Sequence, residues 1–269
     1  MTGAVTRQHS SVKRFRDAAR PAASNGLERE LLLDGLHLLS EAYSSGISVE
    51  IAAFEHAALE DPTARALAEK LSAAGTEVLI VSRNVIDAMS PVRTPSGSVG
   101  IARHALVAPA AALRARSHTT PLVVIAHDVQ DPGNVGGIIR TSEAAGATAV
   151  IASPSSADPF GWKALRGSMG SAFRVPIARA TTEDTLHACR SAGINTAAIV
   201  PRSGSPLFDV DFRKPIALLL GAEGPGLPAQ LLRMVDYHVS IPMHTPVESL
   251  NVGVAAALVL YEAFRQRSR

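Results

Sequence analysis

The stretch from Leu122 to Arg140, LVVIAHDVQDPGNVGGIIR, decides the fold class. Its first residues, Leu122–Ala126, form a continuous apolar run, as expected of a strand that is buried on both faces. Asp131 before Pro132 predicts a helix N-cap, and a helical pattern follows it. A buried strand that leads through a turn into a helix is the building unit of an α/β domain with a parallel sheet.

The same alternation of strand and helix patterns runs through the whole chain. In the second half, strands are predicted at Leu122–Ala126, Ala149–Ala152, Ile194–Val200, Ile216–Leu220 and Tyr237–Ile241. Helices are predicted there at Val135–Ala145, Thr182–Ala192, Pro228–Met234 and Leu250–Arg265. In the first half, strands are predicted at Leu31–Leu33, Val49–Ala53, Glu77–Val81 and Val99–Val107, and a helix at Pro62–Ala74. The alternation predicts parallel sheets covered by helices in both halves.

Composition divides the chain into an arm, two domains and a linker. Ala108–Thr120 is small, basic and polar without a strand pattern, so it is the predicted linker between domains at 27–107 and 121–269. Residues 1–26 are a predicted flexible basic arm, since residues 1–29 hold six basic and two acidic side chains. Such an arm can follow a phosphate backbone, form a solvated terminus, or serve as a mitochondrial transit peptide.

Composition also excludes several classes of protein. Aromatic residues make up only 4% of the chain, which disfavours a stacking platform for bases. The single cysteine, Cys189, excludes a disulfide framework and a cysteine-rich metal site. No apolar run is long enough for a membrane span, and no secretory signal follows the early basic residues. We therefore expect a cytoplasmic protein without a structural metal.

Three polar segments, the first two rich in glycine, follow predicted strands of the second half. The first motif segment is HDVQDPGNVGGIIR (His127–Arg140), the second is LLLGAEGPGL (Leu218–Leu227), and the third is IPMHTPVESLN (Ile241–Asn251). Ligands bind at the carboxyl ends of strands in open α/β sheets, so these segments predict one site. The glycines do not fit G-x-G-x-x-G, and no G-x-S-x-G surrounds Ser249, which disfavours dinucleotide binding and serine hydrolysis.

The ordered set N-x-G-G-I-I-R, L-L-G-A-E-G-x-G-L and I-P-M-x-x-x-x-E-S-L-N-V resembles the three signature motifs of the SpoU/TrmH family. These are RNA ribose 2′-O-methyltransferases of the SPOUT superfamily, and the resemblance covers residues 121–265. Lys163–Pro176 (KALRGSMGSAFRVP) is similar to a family segment between the first two motifs. More loosely, Arg29-Glu30 before Leu31–Gly35 resembles the start of the family's substrate-binding domain.

The resemblance implies a C-terminal SPOUT α/β domain with a deep trefoil knot and a smaller N-terminal α/β (L30e-like) substrate-binding domain. It implies a homodimer with S-adenosylmethionine held in a bent shape by the second and third motifs. The cofactor residues that it implies are Leu219, Gly221, Ile241, Met243 and Leu250.

The resemblance also implies the reacting groups. The catalytic set is Arg140, Asn134, Glu223, Ser249 and Asn251. Arg140 either loses its proton and acts as a base, or stays a cation that binds the adjacent phosphate and polarises the hydroxyl. Asn134 and Glu223 are expected to orient Arg140 and the ribose. The implied RNA-binding residues are Arg29, Arg166, Ser168 and Arg174.

The predicted function is S-adenosylmethionine-dependent methylation of a ribose 2′-hydroxyl in structured RNA, with rRNA favoured over tRNA. The 2′-hydroxyl distinguishes RNA from DNA, so RNA is the expected partner, with no membrane and no metal. An alternative is a module that binds RNA and S-adenosylmethionine without turnover. A nucleotide-dependent oxidoreductase is disfavoured, because the ribose-binding acid and the glycine fingerprint are both missing.

Overall fold

The computed structural model describes residues 9–20, 28–114 and 119–268. Its helices are α1 Ser10–Ala18, α2 Leu36–Ser44, α3 Pro62–Ala73, α4 Arg83–Met89, α5 Pro109–Ala112, α6 Pro132–Ala144, α7 Trp162–Ser168, α8 Thr182–Ser191, α9 Ala229–Leu232 and α10 Val252–Arg267. Its strands are β1 Glu28–Asp34, β2 Ser48–Glu55, β3 Glu77–Val81, β4 Ser98–Ala105, β5 Leu122–Ala126, β6 Ala149–Ala152, β7 Ile177–Arg179, β8 Asn195–Val200, β9 Ser205–Pro206, β10 Ile216–Leu220 and β11 Tyr237–Ser240.

Contacts divide the chain into two compact units. Unit 1 contains the described residues up to Ala105 together with Phe160–Phe173. Unit 2 contains Leu106–Pro159 and the described residues from Arg174 onward. The boundaries differ from the predicted domains in three places: the arm, the linker and the excursion Phe160–Phe173.

The sheet of unit 1 is mixed, which corrects the parallel sheet predicted for the first half. Its strand order is β1-β4-β2-β3. Strand β4 runs antiparallel to β1 and β2, whereas β2 and β3 are parallel. Helix α3 connects the parallel pair, and the loop Ser90–Gly97 sends β4 back in the opposite direction. Apolar patterning predicts that a strand is half-buried but carries no information about its direction.

Helix α1 corrects part of the predicted flexible arm. Val12 and Phe15 lie on its inner face and are buried in the core of unit 1. The guanidinium of Arg14 lies against the carboxylates of Glu30 and Glu50, which hold its pKa above the usual value by hydrogen bonding. The charges that suggested a free arm are therefore partly used to attach this helix. Residues 1–8 and 21–26 of the predicted arm lie outside the described residues.

Unit 2 is built on a parallel sheet with the order β7-β6-β5-β10-β8-β11-β9. Every residue of β5, β6 and β10 is buried, as predicted for strands covered on both faces. The chain moves from β5 outward to β6 and β7, and it later inserts β10 between β5 and β8. The reversal of strand order next to β5 is where an α/β sheet opens a crevice for ligands.

The segment predicted as a linker, Ala108–Thr120, is in part folded into unit 2. The amide of Val107 donates to the carbonyl of Ile177 at 2.8 Å, and the short helix α5 follows. Ala112 and Leu113 are buried in the same core cluster as residues of β5 and β6. Alanine-rich composition resembles a linker in sequence, but small apolar side chains also pack closely against a sheet. Residues 115–118 lie outside the described part of the chain.

The excursion Phe160–Phe173 belongs to unit 1, although it interrupts the predicted catalytic domain. Its helix α7 packs on β1, and Trp162 packs against the core of unit 1. The imidazole of His104 contacts Phe160 and Phe173 edge-on, with ring centroids 5.2 and 6.3 Å apart. Burial lowers the pKa of His104, which favours the neutral ring in this aromatic setting.

Candidate functional site

A cavity of about 840 Å³ lies in unit 2, at the carboxyl ends of β8, β10 and β11. Its volume is within the range of pockets that bury small molecules and cofactors. Its apolar lining includes Ile199, Val200, Leu220, Leu227, Leu232, Ile241, Met243, Leu250, Val252 and Ala255. The second and third motif segments therefore share one cavity, as their positions after parallel strands predicted.

The second motif forms a tight loop that only glycine permits at Gly221. A Cβ atom on Gly221 would lie 2.8 Å from the Leu227 side chain and 2.9 Å from the backbone of Gly226. The loop is closed by the amide of Gly226, which donates to the carbonyl of Ala222 at 3.2 Å. Gly224 and Gly226 both have positive φ, a conformation that side chains disfavour. The glycines thus bring the backbone to the cavity wall.

The third motif ends in a helix cap that serves two purposes. The Oδ1 atom of Asn251 accepts the amides of Gly253 at 2.9 Å and Val254 at 3.2 Å, which caps α10. The amide nitrogen of the same side chain donates to Glu223 Oε1 at 3.0 Å and to Asn134 Oδ1 at 3.2 Å. The predicted helix start at Leu250 is corrected to Val252, with Asn251 as its N-cap.

Asn134, Glu223 and Asn251 form a hydrogen-bonded triangle that joins the three motifs. The Asn134 amide nitrogen donates to Glu223 Oε1 at 2.5 Å, and Asn251 donates to the same oxygen. Asn134 is positioned by the first turn of α6, where Asp131 accepts its backbone amide at 2.9 Å. The Glu223 carboxylate therefore receives two amide donors, one from each flanking motif. These contacts fix the loops but do not involve Arg140.

Four of the five predicted cofactor residues line the cavity: Gly221, Ile241, Met243 and Leu250. Leu219 does not, because its side chain is buried in the core cluster of unit 2. Leu220 lines the cavity instead. This difference between Leu219 and Leu220 follows from strand geometry, since successive side chains of β10 point to opposite faces of the sheet, and a backbone contact of Leu219 with the cofactor stays a prediction.

The remaining catalytic candidates lie at different places. Ser249 lines the cavity and is exposed. Arg140 is exposed on α6 and lies outside the cavity lining. It makes no hydrogen bond or ion pair with any residue that the structure describes. Asn134 and Glu223 bond to each other and to Asn251 rather than to Arg140, so their orienting role toward Arg140 and the ribose stays a prediction.

Two of the predicted RNA-binding residues are buried. Arg29 is only 8% exposed within β1, and Ser168 is fully buried, with its hydroxyl donating to the carbonyl of Leu165 at 2.9 Å. Arg166 is half-exposed, 3.6 Å from the Asp34 carboxylate. Arg174 donates to the Glu143 carboxylate at 2.5 and 3.0 Å. Arg29 and Ser168 were named from the family resemblance, which does not determine which face of an element a side chain occupies, and Arg166 and Arg174 are the exposed members of the predicted set.

Sequence reasoning missed the cavity wall formed by the end of β8 and the turn after it. Ile199–Ser203 lines the cavity, yet only its strand was predicted. The signal was available, since Pro201 and Gly204 follow a predicted buried strand, as in the other two segments. The cavity is also lined by Glu248 of the third motif segment, for which no role was predicted.

Thiol and metal chemistry find no support in the described residues. Burial and the charge of Asp236 raise the pKa of Cys189 to about 11, which leaves its thiol protonated and unreactive. In the parts of the chain that the structure describes, no three histidine, cysteine, aspartate or glutamate side chains are grouped to hold a metal ion. Among the same residues, no helix has the length and apolarity needed to cross a bilayer.

Comparison with known proteins adds a family match to this geometry. The model of the SpoU rRNA Methylase family matches residues 121–261. The chain belongs to the SpoU rRNA methylase family. The family prediction made from the three motifs is confirmed, and with it the class of S-adenosylmethionine-dependent RNA methyltransferases.

Relatives extend the similarity of this SpoU-family chain beyond the matched domain. It is 30% identical to the 23S rRNA (guanosine(2553)-2′-O)-methyltransferase RlmP of Bacillus subtilis, over 86% of each chain. The AdoMet-bound rRNA methyltransferase from Sinorhizobium meliloti has a TM-score of 0.82 and 30% identity, covering 97% of this chain and 96% of that one. The SpoU methyltransferase AviRb from Streptomyces viridochromogenes, in complex with AdoMet, has a TM-score of 0.83 and 28% identity, covering 97% and 99%.

Proposed function

We propose that this chain transfers the methyl group of S-adenosylmethionine to a ribose 2′-hydroxyl of RNA. The observation that carries the proposal is the triangle of Asn134, Glu223 and Asn251, which joins three motifs beside a cofactor-sized cavity. A wall fixed by hydrogen bonds before any ligand arrives holds reactants in a defined orientation, the main requirement when the methyl donor is already activated.

The cavity residues fit S-adenosylmethionine. Apolar side chains such as Leu220, Ile241 and Leu250 suit the adenosine, and the bare backbone at Gly221 allows the close approach that polar ring edges require. When bound, the cofactor supplies a sulfonium-activated methyl group. The protein then has to exclude water and align the acceptor.

Arg140 acts as a cation in this proposal. Its guanidinium is exposed and bonded to no described residue, so its fork of N–H donors is available to phosphate oxygens. It therefore binds the phosphate next to the target ribose and polarises the 2′-hydroxyl, whose proton passes to solvent as the methyl group leaves the sulfonium sulfur for the ribose oxygen. Ser249 lies at the cavity wall, and its hydroxyl forms a hydrogen bond with the ribose, either as donor or as acceptor.

We propose structured RNA as the substrate, and rRNA ahead of tRNA. The relatives RlmP and the Sinorhizobium meliloti protein are named as rRNA methyltransferases, and both cover nearly the whole chain, including unit 1. Unit 1 is in this proposal an L30e-like substrate-binding domain that contributes Arg166 as an RNA contact, and Arg174 at the start of the next segment of unit 2 is a second RNA contact. A cytoplasmic location follows from such a substrate.

The proposal includes a deep trefoil knot in unit 2. Strand β10 is inserted between β5 and β8, so the chain returns to the middle of a sheet that it has already begun. The loops after β10 and β11 then share one cavity near the start of the last helix. This chain path is compatible with threading of the C-terminal segment through an earlier loop.

A homodimer is the proposed assembly. Helix α10 exposes one stripe of large apolar side chains, Val254, Leu258, Tyr261 and Phe264, at helical spacing. Exposed apolar stripes of this size mark interaction surfaces, and a two-fold axis would let the stripe cover its own copy. Sedimentation of the purified chain tests this, and a monomer mass at micromolar concentration would contradict it.

The decisive experiment incubates the protein with methyl-labelled S-adenosylmethionine and separate pools of unmodified rRNA and tRNA. We expect label in rRNA within alkali-resistant dinucleotides, since a 2′-O-methyl group blocks strand cleavage by base. Arg140→Ala should lower the rate at least a hundredfold, in line with the loss of a group that stabilises transition-state charge. Cofactor affinity should change little, because Arg140 lies outside the cavity.

A matched control is Arg233→Ala, which removes another exposed arginine of unit 2 outside the cavity and should leave the rate unchanged. Binding of RNA and cofactor without any label transfer would overturn the enzyme proposal in favour of a binding module. Label in tRNA alone would overturn the choice of rRNA.

A further inference from the structure

Two charged side chains of opposite sign line the cofactor cavity without partners. Arg202 lies in the turn after β8, and Glu248 lies in the third motif segment. Neither makes a hydrogen bond or an ion pair with any residue in the described part of the chain, and they do not pair with each other. Glu223, also in the lining, already accepts two amide donors.

The turn that carries Arg202 is rigidly attached to the sheet. A Cβ atom on Gly204 would lie 2.8 Å from the backbone of Val239 and Ser240, so this turn touches β11 directly. The hydroxyl of Ser240 donates to the carbonyl of Gly204 at 3.0 Å, and Ser203 adopts a positive φ of 63°. A cation on a fixed turn loses less conformational entropy on binding an anion than one on a flexible loop.

We infer that Arg202 and Glu248 bind the zwitterionic amino acid end of the cofactor. This inference rests on the proposed function and assigns two specificity residues to its cofactor site. Arg202 receives the α-carboxylate as a charge-assisted hydrogen-bond donor, and Glu248 receives the α-ammonium group. The apolar part of the cavity is left for the adenosine.

The sign of the charges favours the cofactor over RNA as the partner of Arg202. A phosphate backbone is attracted by groups of positive charge and is repelled by a carboxylate in the same cavity. Glu248 is such a carboxylate. A zwitterion is bound best by one unpaired cation and one unpaired anion of the protein, and Arg202 and Glu248 provide these in the cavity lining.

His238 is the other basic side chain in the lining and is held differently. Its Nε2 atom lies 2.9 Å from the carbonyl oxygen of Leu232, so its proton is engaged with the backbone. Arg202 is therefore the unpaired cation of the lining among the described residues.

Titration calorimetry with two ligands tests the inference without turnover. S-adenosylhomocysteine carries the amino acid end, whereas 5′-methylthioadenosine has a methyl group in its place. Arg202→Ala should weaken binding of S-adenosylhomocysteine about tenfold, the loss expected for one charge-assisted hydrogen bond. Binding of 5′-methylthioadenosine should stay the same. Glu248→Gln should give the same pattern, and Arg202→Lys should recover part of the loss.

Controls separate this inference from the proposed function. Arg233→Ala, outside the cavity, should change neither affinity. If the unaltered protein binds neither ligand, the proposed function fails. If it binds both ligands equally well, or if Arg202→Ala weakens both alike, the function stands and the inference is overturned. A fall in RNA affinity with unchanged S-adenosylhomocysteine binding would instead assign Arg202 to the RNA backbone. Unchanged melting temperatures show that each variant is folded.

Discussion

The two units differ in where their largest groups of polar side chains come together. In unit 1, charged side chains pair with each other across the sheet surface, as in the cluster of Arg14, Glu30, Glu50 and Arg103. In unit 2, Asn134, Glu223 and Asn251 come together at strand ends beside a cavity. Polar groups that follow parallel strands lie at the same edge of the sheet, because the carboxyl ends of those strands meet there. The partners of charged side chains within strands depend on strand pairing, which the sequence does not predict.

The largest effect on the free energy of unfolding is expected in unit 1, where substitution in α1 tests whether this helix is part of the core. Phe15→Ala removes a fully buried ring and should lower the free energy of unfolding by about 3–5 kcal/mol. Denaturant unfolding measures this loss. Affinity for S-adenosylhomocysteine should not change, since the cavity lies in unit 2.

The matched control for Phe15 is Phe208, whose ring is 67% exposed. Phe208→Ala should cost less than about 1 kcal/mol, as surface substitutions do. An equal loss of unfolding free energy in the two variants would mean that α1 contributes no packing to the core of unit 1.

A smaller effect is expected at the tight loop of unit 2. Gly221→Ala places a methyl group within 3.0 Å of the Leu227 backbone and side chain, so the loop has to shift. The free energy of unfolding should fall by about 1–3 kcal/mol, and cofactor affinity should fall more than about tenfold. Calorimetry and denaturant unfolding give the two values.

Gly137→Ala provides the contrast on α6, because a Cβ atom there meets nothing within 4 Å in the chain. That variant should be neutral, or more stable by up to about 1 kcal/mol from helix propensity. A Gly221→Ala protein with unchanged cofactor affinity would show that the loop does not form the binding wall.

The smallest effect on stability is expected at the exposed ion pair of Arg174 and Glu143. Arg174→Ala should cost less than about 1 kcal/mol of unfolding free energy, since half-exposed pairs contribute little. If Arg174 also contacts RNA, the same variant lowers RNA affinity and reduces the slope of its salt dependence by about one.

Glu143→Gln breaks the same ion pair without removing the arginine. Filter binding at several salt concentrations should therefore show the loss with Arg174→Ala only. Equal RNA affinity for both variants would assign Arg174 to a structural pair, like the arginines on the sheet of unit 1.

The strands were most predictable where apolar runs are continuous and bounded by polar residues. Leu122–Ala126 and Ile216–Leu220 have the bounds predicted for them. The three-residue strand Ile177–Arg179 was missed, because so short a run has no pattern. Arg29 lies between two glutamates in sequence, which suggests exposure, yet it is buried; its surroundings are set by tertiary packing.

The site was predictable to the level of the loop but not of the single side chain. The convergence of Asn134, Glu223 and Asn251 followed from motifs placed at strand ends. The Leu219 side chain packs in the core while that of Leu220 lines the cavity, because in a strand one position exchanges one face for the other. Arg202 and Glu248 lie outside the glycine pattern, so only the shape of the cavity reveals them.

The excursion Phe160–Phe173 has a consequence for how this protein can be divided or recombined. The polypeptide passes from one unit to the other at Ala105, again at Pro159, and once more at Phe173. A fragment that begins at residue 121, where the family match starts, would keep the excursion but lose the sheet on which α7 packs. The aromatic side chains of the excursion would then be exposed to water, and the fragment would be prone to aggregate. Functional chimeras with relatives should therefore exchange both segments of unit 1 together, the N-terminal part of the chain and the excursion.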